Sequence, residues 1–318
     1  MSEVDRPGSG PDLSVSFAGL RMKNPVIAAS GTFGYGREYA GLVEAGALGG
    51  IATKGLTLEP RGGNGGERLH ETPAGLLNSI GLENPGISAF IEGELPALRL
   101  LGTTVFANLS GGSLEGYEEG AALLDAAEGV DAIELNISCP NVKQGGMGFG
   151  LDPEVAAEVT RRVRARTRKP LVVKLSPNAP DLVGVARACV EAGAEALSLV
   201  NTFKALAIDV ERGRPVFDNV TAGLSGPAIR PLALRLVWEV AGAVEVPVIG
   251  LGGIATARDA LEFLMAGAVA VQVGTATFAD PNAMRDIISG IRDFMATRGF
   301  AAVSELVGLA RRKYRSQL

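Results

Sequence analysis

Eight times along this chain a short apolar run gives way to a polar or glycine-rich stretch and then to an amphipathic segment, and this alternation constrains the fold more than any other feature. The apolar runs are Val26–Ala28, Gly50–Thr53, Thr104–Ala107, Ala132–Leu135, Leu171–Lys174, Ala196–Val200, Val246–Gly250 and Ala270–Val273. Helical spacing covers Glu38–Ala45, Ile87–Leu100, Leu114–Ala127, Pro153–Arg166, Leu182–Ala192, Pro231–Val240, Ala257–Ala266 and Asn282–Arg298. Strands alternating with helices imply a parallel sheet. Eight of each fit a closed (β/α)8 TIM barrel better than an open doubly wound sheet of about six strands.

The endings Glu44-Ala-Gly46, Glu191-Ala-Gly193 and Met265-Ala-Gly267 place glycine where a helix stops in a left-handed cap. Before the first repeat, Leu13–Phe17 and Leu20–Met22 flank Ala18-Gly19 and read as a β-hairpin capping one end. Residues 1–12, polar and rich in Gly and Pro, read as a disordered or extended tail, and 13–318 as one barrel domain, since no Pro- or charge-rich linker divides them. Two connections, Lys54 to Gly86 and Asn201 to Ile229, exceed ordinary loop length and are expected to be walls of a site.

A formal net charge of −5 without a long basic run argues against nucleic acid or an anionic membrane as partner. The arginine-rich stretch from Arg161 to Lys169 reads as a solvated helix face and its end. With no apolar targeting segment near Met1 and no run of 18 apolar residues, a cytoplasmic protein is expected. Two cysteines cannot ligate an iron–sulfur cluster, which takes four thiolates. Cys189 lies in a helical pattern and reads as a small core residue, whereas Cys139 lies among polar neighbours. No His/Cys/carboxylate cluster has metal-ligand spacing, so no metal is expected.

In a barrel of this type the site is built from loops at the C-terminal ends of the strands. Those exits carry Ser30-Gly31-Thr32, Thr53-Lys54-Gly55, Asn108, Asn136, Lys174, Asn201-Thr202, Gly252-Gly253 and Gly274-Thr275. Eight exits offering amides, ammonium groups or small residues point to a ligand at one mouth. The glycines after the last two strands precede helices, where free backbone N–H groups hold phosphate. The fourth strand, read as the apolar run Ala132-Ile133-Glu134-Leu135, leads into Asn136-Ile-Ser-Cys-Pro-Asn141, whose Cys139 is the one plausible proton-transfer group at the exits. A Cys139–His70 nucleophile pair stays open, because neighbours in space need not be neighbours in sequence. Flavin mononucleotide fits a phosphate site with cations to meet charge on a ring. A flavin-free phosphosugar lyase or isomerase, or a non-catalytic phosphate-binding barrel, fits the same residues.

Taken in order, Asn24-Pro25, Ala29-Ser-Gly-Thr32, Thr53-Lys-Gly55, Asn78-Ser-Ile-Gly-Leu82, Asn136-Ile-Ser-Cys-Pro-Asn141, Val173-Lys-Leu-Ser-Pro177, Val200-Asn-Thr202, Gly223-Leu-Ser-Gly-Pro227, Gly252-Gly253 and Val273-Gly-Thr275 resemble the class 1 dihydroorotate dehydrogenases, flavin barrels of pyrimidine synthesis, over nearly the whole chain. The resemblance implies that Ser30, Lys54, Gly55, Asn108, Asn136, Lys174, Val200, Gly226, Gly252, Gly253, Gly274 and Thr275 hold FMN. It further implies a substrate place made by Lys54, Asn78, Ser79, Ile80, Gly81, Leu82, Asn136, Asn141, Asn201 and Thr202, with Cys139 and Lys54 as the catalytic groups. Cys139 would be the base that takes the C5 proton of dihydroorotate while hydride leaves C6.

After Asn141 the chain continues Val142-Lys143-Gln144-Gly145-Gly146-Met147, which resembles the NAD-linked type rather than the fumarate-using one. That type implies a dimer of barrels joined to an iron–sulfur flavoprotein subunit carrying FAD and a [2Fe–2S] cluster, a heterotetramer. The alternatives are a fumarate-linked class 1 enzyme or a dihydropyrimidine dehydrogenase-like flavin reductase. The glycines of Lys143–Gly150 would permit a lid.

Overall fold

The structure, a computed structural model, describes residues 10–39, 41–138 and 148–312. It opens with a hairpin of β1 (Val15–Phe17) and β2 (Leu20–Met22), in which Val15 pairs with Met22. Its two-residue turn has φ 46° at Ala18 and 77° at Gly19, the double positive φ of a tight hairpin. Val15, Phe17, Leu20 and Met22 are buried in the main core, so the hairpin closes the bottom of the barrel, next to the start of the first barrel strand. Asp12 is tied to the far end of the chain, donating from its N–H to Ala301 and accepting from Val303.

The remaining strands in chain order are β3 (Val26–Ala28), β4 (Gly50–Ala52), β5 (Leu69–Thr72), β6 (Gly75–Asn78), β7 (Thr104–Ser110), β8 (Ala132–Asn136), β9 (Leu171–Lys174), β10 (Ala196–Leu199), β11 (Phe203–Ala205), β12 (Ile208–Asp209), β13 (Arg214–Pro215), β14 (Ala222–Ser225), β15 (Val248–Leu251) and β16 (Ala270–Val273). Eight of them close a parallel barrel in the order β10-β15-β16-β3-β4-β7-β8-β9. These are the eight expected strands, with ends moved by up to three residues. The seventh begins at Val248 rather than Val246 because Pro247 has no N–H for the ladder, although its carbonyl still accepts from Leu197 at 3.0 Å.

The helices are α1 (Ile87–Ala89), α2 (Leu95–Leu100), α3 (Leu114–Ala126), α4 (Pro153–Arg164), α5 (Leu182–Glu191), α6 (Arg230–Ala241), α7 (Ala257–Ala266), α8 (Ala276–Ala279) and α9 (Ala283–Arg298). Their starts follow side-chain chemistry. Ser113, Asp152 and Asp181 each accept a first-turn N–H, and Thr256 and Asp259 form a reciprocal capping box. Between α1 and α2 the expected continuous helix widens into a π turn over Phe90–Glu94, just before Pro96, which cannot donate to the preceding turn. Arg161, Arg162 and Arg166 lie on the surface as expected, paired with Glu158 and Glu118.

The helix expected at Glu38–Ala45 does not form. Short 3-10 turns, Arg37–Tyr39 and Ala45–Ala47, stand there instead. Gly36 (φ 83°) and Gly41 (φ 82°) bracket too few residues for a helix, and Glu38 folds back to accept from the Tyr35 N–H at 2.9 Å. Gly46 correspondingly ends no helix, whereas Gly193 (φ 106°) and Gly267 (φ 122°) take the positive φ expected of them.

The two long connections join into a single structure. Strands from both pair as an antiparallel sheet in the order β11-β14-β6-β5, with Asn78 opposite Gly223 and Leu76 opposite Ser225. Leu77, Phe217 and Ala222 form a small separate core beneath it. Because each connection leaves from a strand exit, this sheet stands over the C-terminal mouth of the barrel.

Candidate active site

Below the mouth, the barrel interior is polar where apolar side chains ordinarily fill it. Glu134, fully buried on β8, accepts from Asn108 Nδ2 at 2.6 Å, Ser198 Oγ at 2.8 Å and Gln272 Nε2 at 2.6 Å. Lys174 Nζ lies 3.7 Å from its Oε2. Burying a carboxylate costs several kcal/mol, and hydrogen bonds to a charged acceptor return about 1.5–3 kcal/mol each, so three of them balance the penalty. Glu134, Ser198 and Gln272 were absent from the expected site. A charge inside Ala132-Ile133-Glu134-Leu135 was the signal, since an acid in a barrel strand must meet partners from other strands.

One layer higher the predicted residues of the third, fourth and sixth exits meet. Asn136 Nδ2 donates to Ser110 Oγ at 3.2 Å, Asn136 Oδ1 accepts from Asn201 Nδ2 at 3.4 Å, and Tyr117 Oη on α3 donates to the Asn136 carbonyl at 2.8 Å. A Cβ on Gly55 would lie 3.0 Å from Ser110 Oγ, 3.1 Å from Asn108 Oδ1 and 3.4 Å from Leu82 Cδ2. Gly55, Asn108 and Leu82 are thus in one place, with Gly81 (φ 78°) and Leu82 (φ 58°) turning the chain toward it. Thr202 packs on β14, its Oγ1 lying 2.3 Å from where a Cβ on Gly223 would stand.

Lys54 stands at the exit of β4, its Nζ beside Gly31 of the Ser30-Gly31-Thr32 exit. Among the described residues its ammonium has no hydrogen-bond or ion-pair partner. Burial pushes its pKa below the ordinary 10.5, with Glu83 opposing and Arg68 adding to the shift. The folded pKa being the lower one, the ammonium is lost earlier with rising pH than in the unfolded chain, and stability rises through that window. An anion held by Lys54 is released across the same window. Binding of a small carboxylate probe at this mouth is therefore expected to weaken from a pH below 10.5 upward. In Lys54→Met this pH dependence should flatten and affinity fall roughly 10- to 150-fold, the worth of one charge-assisted hydrogen bond. Titration of that carboxylate into both proteins across pH checks it.

At the other side of the mouth, glycines from three exits converge. A Cβ on Gly253 (φ 75°) would lie 2.8 Å from the Gly226 carbonyl and 2.7 Å from Arg230 Cβ, and one on Gly252 would lie 3.3 Å from Val200 Cγ2. Thr275 Oγ1 donates to Ser225 Oγ at 2.8 Å, and Gly274 packs on Ala29. Among the described residues the N–H groups of Gly252, Gly253, Gly274 and Thr275 donate to no backbone acceptor. Open N–H groups on side-chain-free backbone fit a phosphate, and the lysines and carboxamides across the mouth fit a polar ring system, so the residues present suit FMN.

Not every expected residue points into this space. Ser79 and Ile80 are bound within the insertion itself: Ser79 Oγ accepts from Asn64 and Asn219, and the Ile80 carbonyl from the Asn64 N–H. Asn78 Nδ2 donates to the Gly223 carbonyl at 3.2 Å. His70 is exposed on β5, edge-on to Phe217. Cys139, Asn141 and most of Lys143–Gly150 lie outside the described residues. Cys189 is a core residue as expected, its thiol pushed by burial up to about 11.

The dihydroorotate dehydrogenase family model matches residues 12–295. The chain is 56% identical to the catalytic subunit of dihydroorotate dehydrogenase B (NAD(+)) of Geobacter sp. strain M21, over 94% of this chain and 98% of that one. It is 56% identical to the protein of the same name from Petrotoga mobilis, over 94% and 99% of the two chains. For that of Geobacter sulfurreducens the identity is 54%, over 94% and 98%. With the barrel, the polar mouth and the glycine-lined end already in place, these matches show that the chain belongs to the dihydroorotate dehydrogenase family.

Proposed function

We propose that this chain is the FMN-binding catalytic subunit of an NAD-linked dihydroorotate dehydrogenase, which oxidises dihydroorotate to orotate in pyrimidine biosynthesis in the cytoplasm. The observation that carries the proposal is the division of one barrel mouth into a carboxamide and lysine side and a side of open backbone N–H groups. Bound FMN supplies a two-electron hydride acceptor and gains negative charge when reduced. Gly252, Gly253, Gly274 and Thr275 hold its phosphate, with Gly226 and Val200 shaping the backbone beside them. Ser30, Gly55, Asn108, Asn136 and Lys174 line the ring system, and Lys54 meets charge on ring or substrate.

Dihydroorotate carries ring N–H and C=O groups, and Asn136, Asn141 and Asn201 each supply both a donor and an acceptor for them. Gly81, Leu82 and Thr202 complete the wall, with Asn78, Ser79 and Ile80 holding the insertion behind them. Cys139 removes the C5 proton as general base; an ordinary thiol has a pKa of about 8.5, so alkaline conditions favour the step.

The words "catalytic subunit" in the relatives' names support a partner, and two cysteines leave this chain unable to ligate an iron–sulfur cluster by itself. We assign FAD and a [2Fe–2S] cluster to that partner, in a heterotetramer built on a dimer of barrels. Among the described residues no helix is long and apolar enough to cross a membrane.

Purification of the chain by itself tests the proposal. The protein is expected to be yellow and to reduce an artificial dye with dihydroorotate, but to reduce neither NAD+ nor fumarate. Turnover of NAD+ by the lone chain would overturn the subunit assignment, and a preference for dihydrouracil would overturn the substrate.

A further inference from the structure

Among the described residues, Glu134 and Lys174 are the only buried side chains of formal charge, and they face each other inside the barrel. The four partners of Glu134 stand on four other strands: Asn108 on β7, Lys174 on β9, Ser198 on β10 and Gln272 on β16. One carboxylate therefore gathers half the barrel, including two residues assigned above to the flavin.

The two kinds of contact differ in what they do. Three hydrogen bonds of 2.6–2.8 Å fix the carboxylate and its amide and hydroxyl partners in orientation. Lys174 Nζ, at 3.7 Å, is too far for a hydrogen bond, so it interacts with Glu134 as a charge. Its own N–H groups meet no acceptor among the described residues although the side chain is buried, which leaves them for a ligand above. Lys54, by contrast, has no carboxylate in contact.

We propose that Glu134 is a positioning residue of the flavin site, one that orients Asn108 and neutralises Lys174, leaving Lys54 as the uncompensated cation at the mouth. This rests on the flavin reading. Its consequence is that the Glu134–Lys174 pair sets how strongly the site favours added negative charge. Without Glu134 the site has one extra positive charge, and without Lys174 a buried negative one.

Glu134→Gln, Lys174→Met and the double variant test it, each measured as apoprotein and after FMN loading. In the apoprotein, Lys174→Met strands a buried carboxylate and is expected to lower the melting temperature by roughly 5–8 °C. The double variant should recover at least half of that loss. In the loaded protein the midpoint potential of FMN should rise in Glu134→Gln, fall in Lys174→Met, and return close to the wild-type value in the double variant. A purely structural role would lower stability in both single variants without moving the potential in opposite directions.

Additive losses in the double variant, or an unchanged potential in Glu134→Gln, would overturn the proposal. If the single variants do not fold, a folded double variant supports it, and a double variant no better than the worse single one overturns it. Failure of the wild-type chain to bind FMN would remove the flavin reading while the apoprotein comparison still tests the pair.

Discussion

Cys139→Ala is expected to leave FMN bound and to slow its bleaching by dihydroorotate by roughly 10²- to 10⁴-fold at neutral pH, the usual worth of a general base. The argument is chemical. The carboxamides at the mouth orient a ring but hold no removable basic lone pair, and the buried carboxylate of Glu134 is occupied by three donors. Lys54 is assigned above to charge on the ring or substrate, with burial disfavouring its ammonium and Glu83 favouring it. The proposed function gives this step to the Cys139 thiolate. Stopped-flow bleaching of the flavin absorbance checks it, and in the wild type the rate should climb with pH as the thiol ionises. Equal bleaching in the two proteins would show that another group takes the proton.

Gly253→Ala should cost FMN affinity roughly 10²- to 10⁴-fold. The added methyl would meet Arg230 and the Gly226 carbonyl at 2.7–2.8 Å, and φ of 75° disfavours any L side chain. Backbone on both sides must move, and two N–H···phosphate bonds of about 1.5–3 kcal/mol each are lost with it, which converts to that range. Gly299→Ala is the control. It has a similar φ of 72° at the end of α9 with nothing within 4 Å, so it carries the strain alone. FMN titrations of both apoproteins should show weak binding only in Gly253→Ala. Comparable affinity in the two variants would remove the glycines at 252–253 from the phosphate site.

Some of this is legible in the residues alone. The strand run Leu171–Lys174 is continuously apolar until its last residue because both faces are covered, and such a run is read directly. Strand exits follow from strand ends, so Lys54, Asn108, Asn136, Lys174 and Asn201 were identified by position. The helix expected at Glu38–Ala45 failed because its pattern was short and its flanking glycines take positive φ, which local periodicity does not register. The role of Glu134 is hidden from the sequence for a related reason. A single acid in an apolar run looks like a tolerated exception until the strands carrying Asn108, Ser198 and Gln272 are brought around it.

Local spacing by itself determined the barrel and the side chains offered at the C-terminal ends of its strands, because period, strand length and exit chemistry reside within a few consecutive residues. Only the tertiary structure decided that the two long connections form one sheet, that Gly226, Gly253 and Gly274 converge from three exits, and that one buried carboxylate joins its own strand to four others. Those relations join residues up to about 150 positions apart, such as Leu76 with Ser225 and Glu134 with Gln272. Closure of the barrel is what makes them neighbours, and pairing across such distances leaves no periodic trace in the chain.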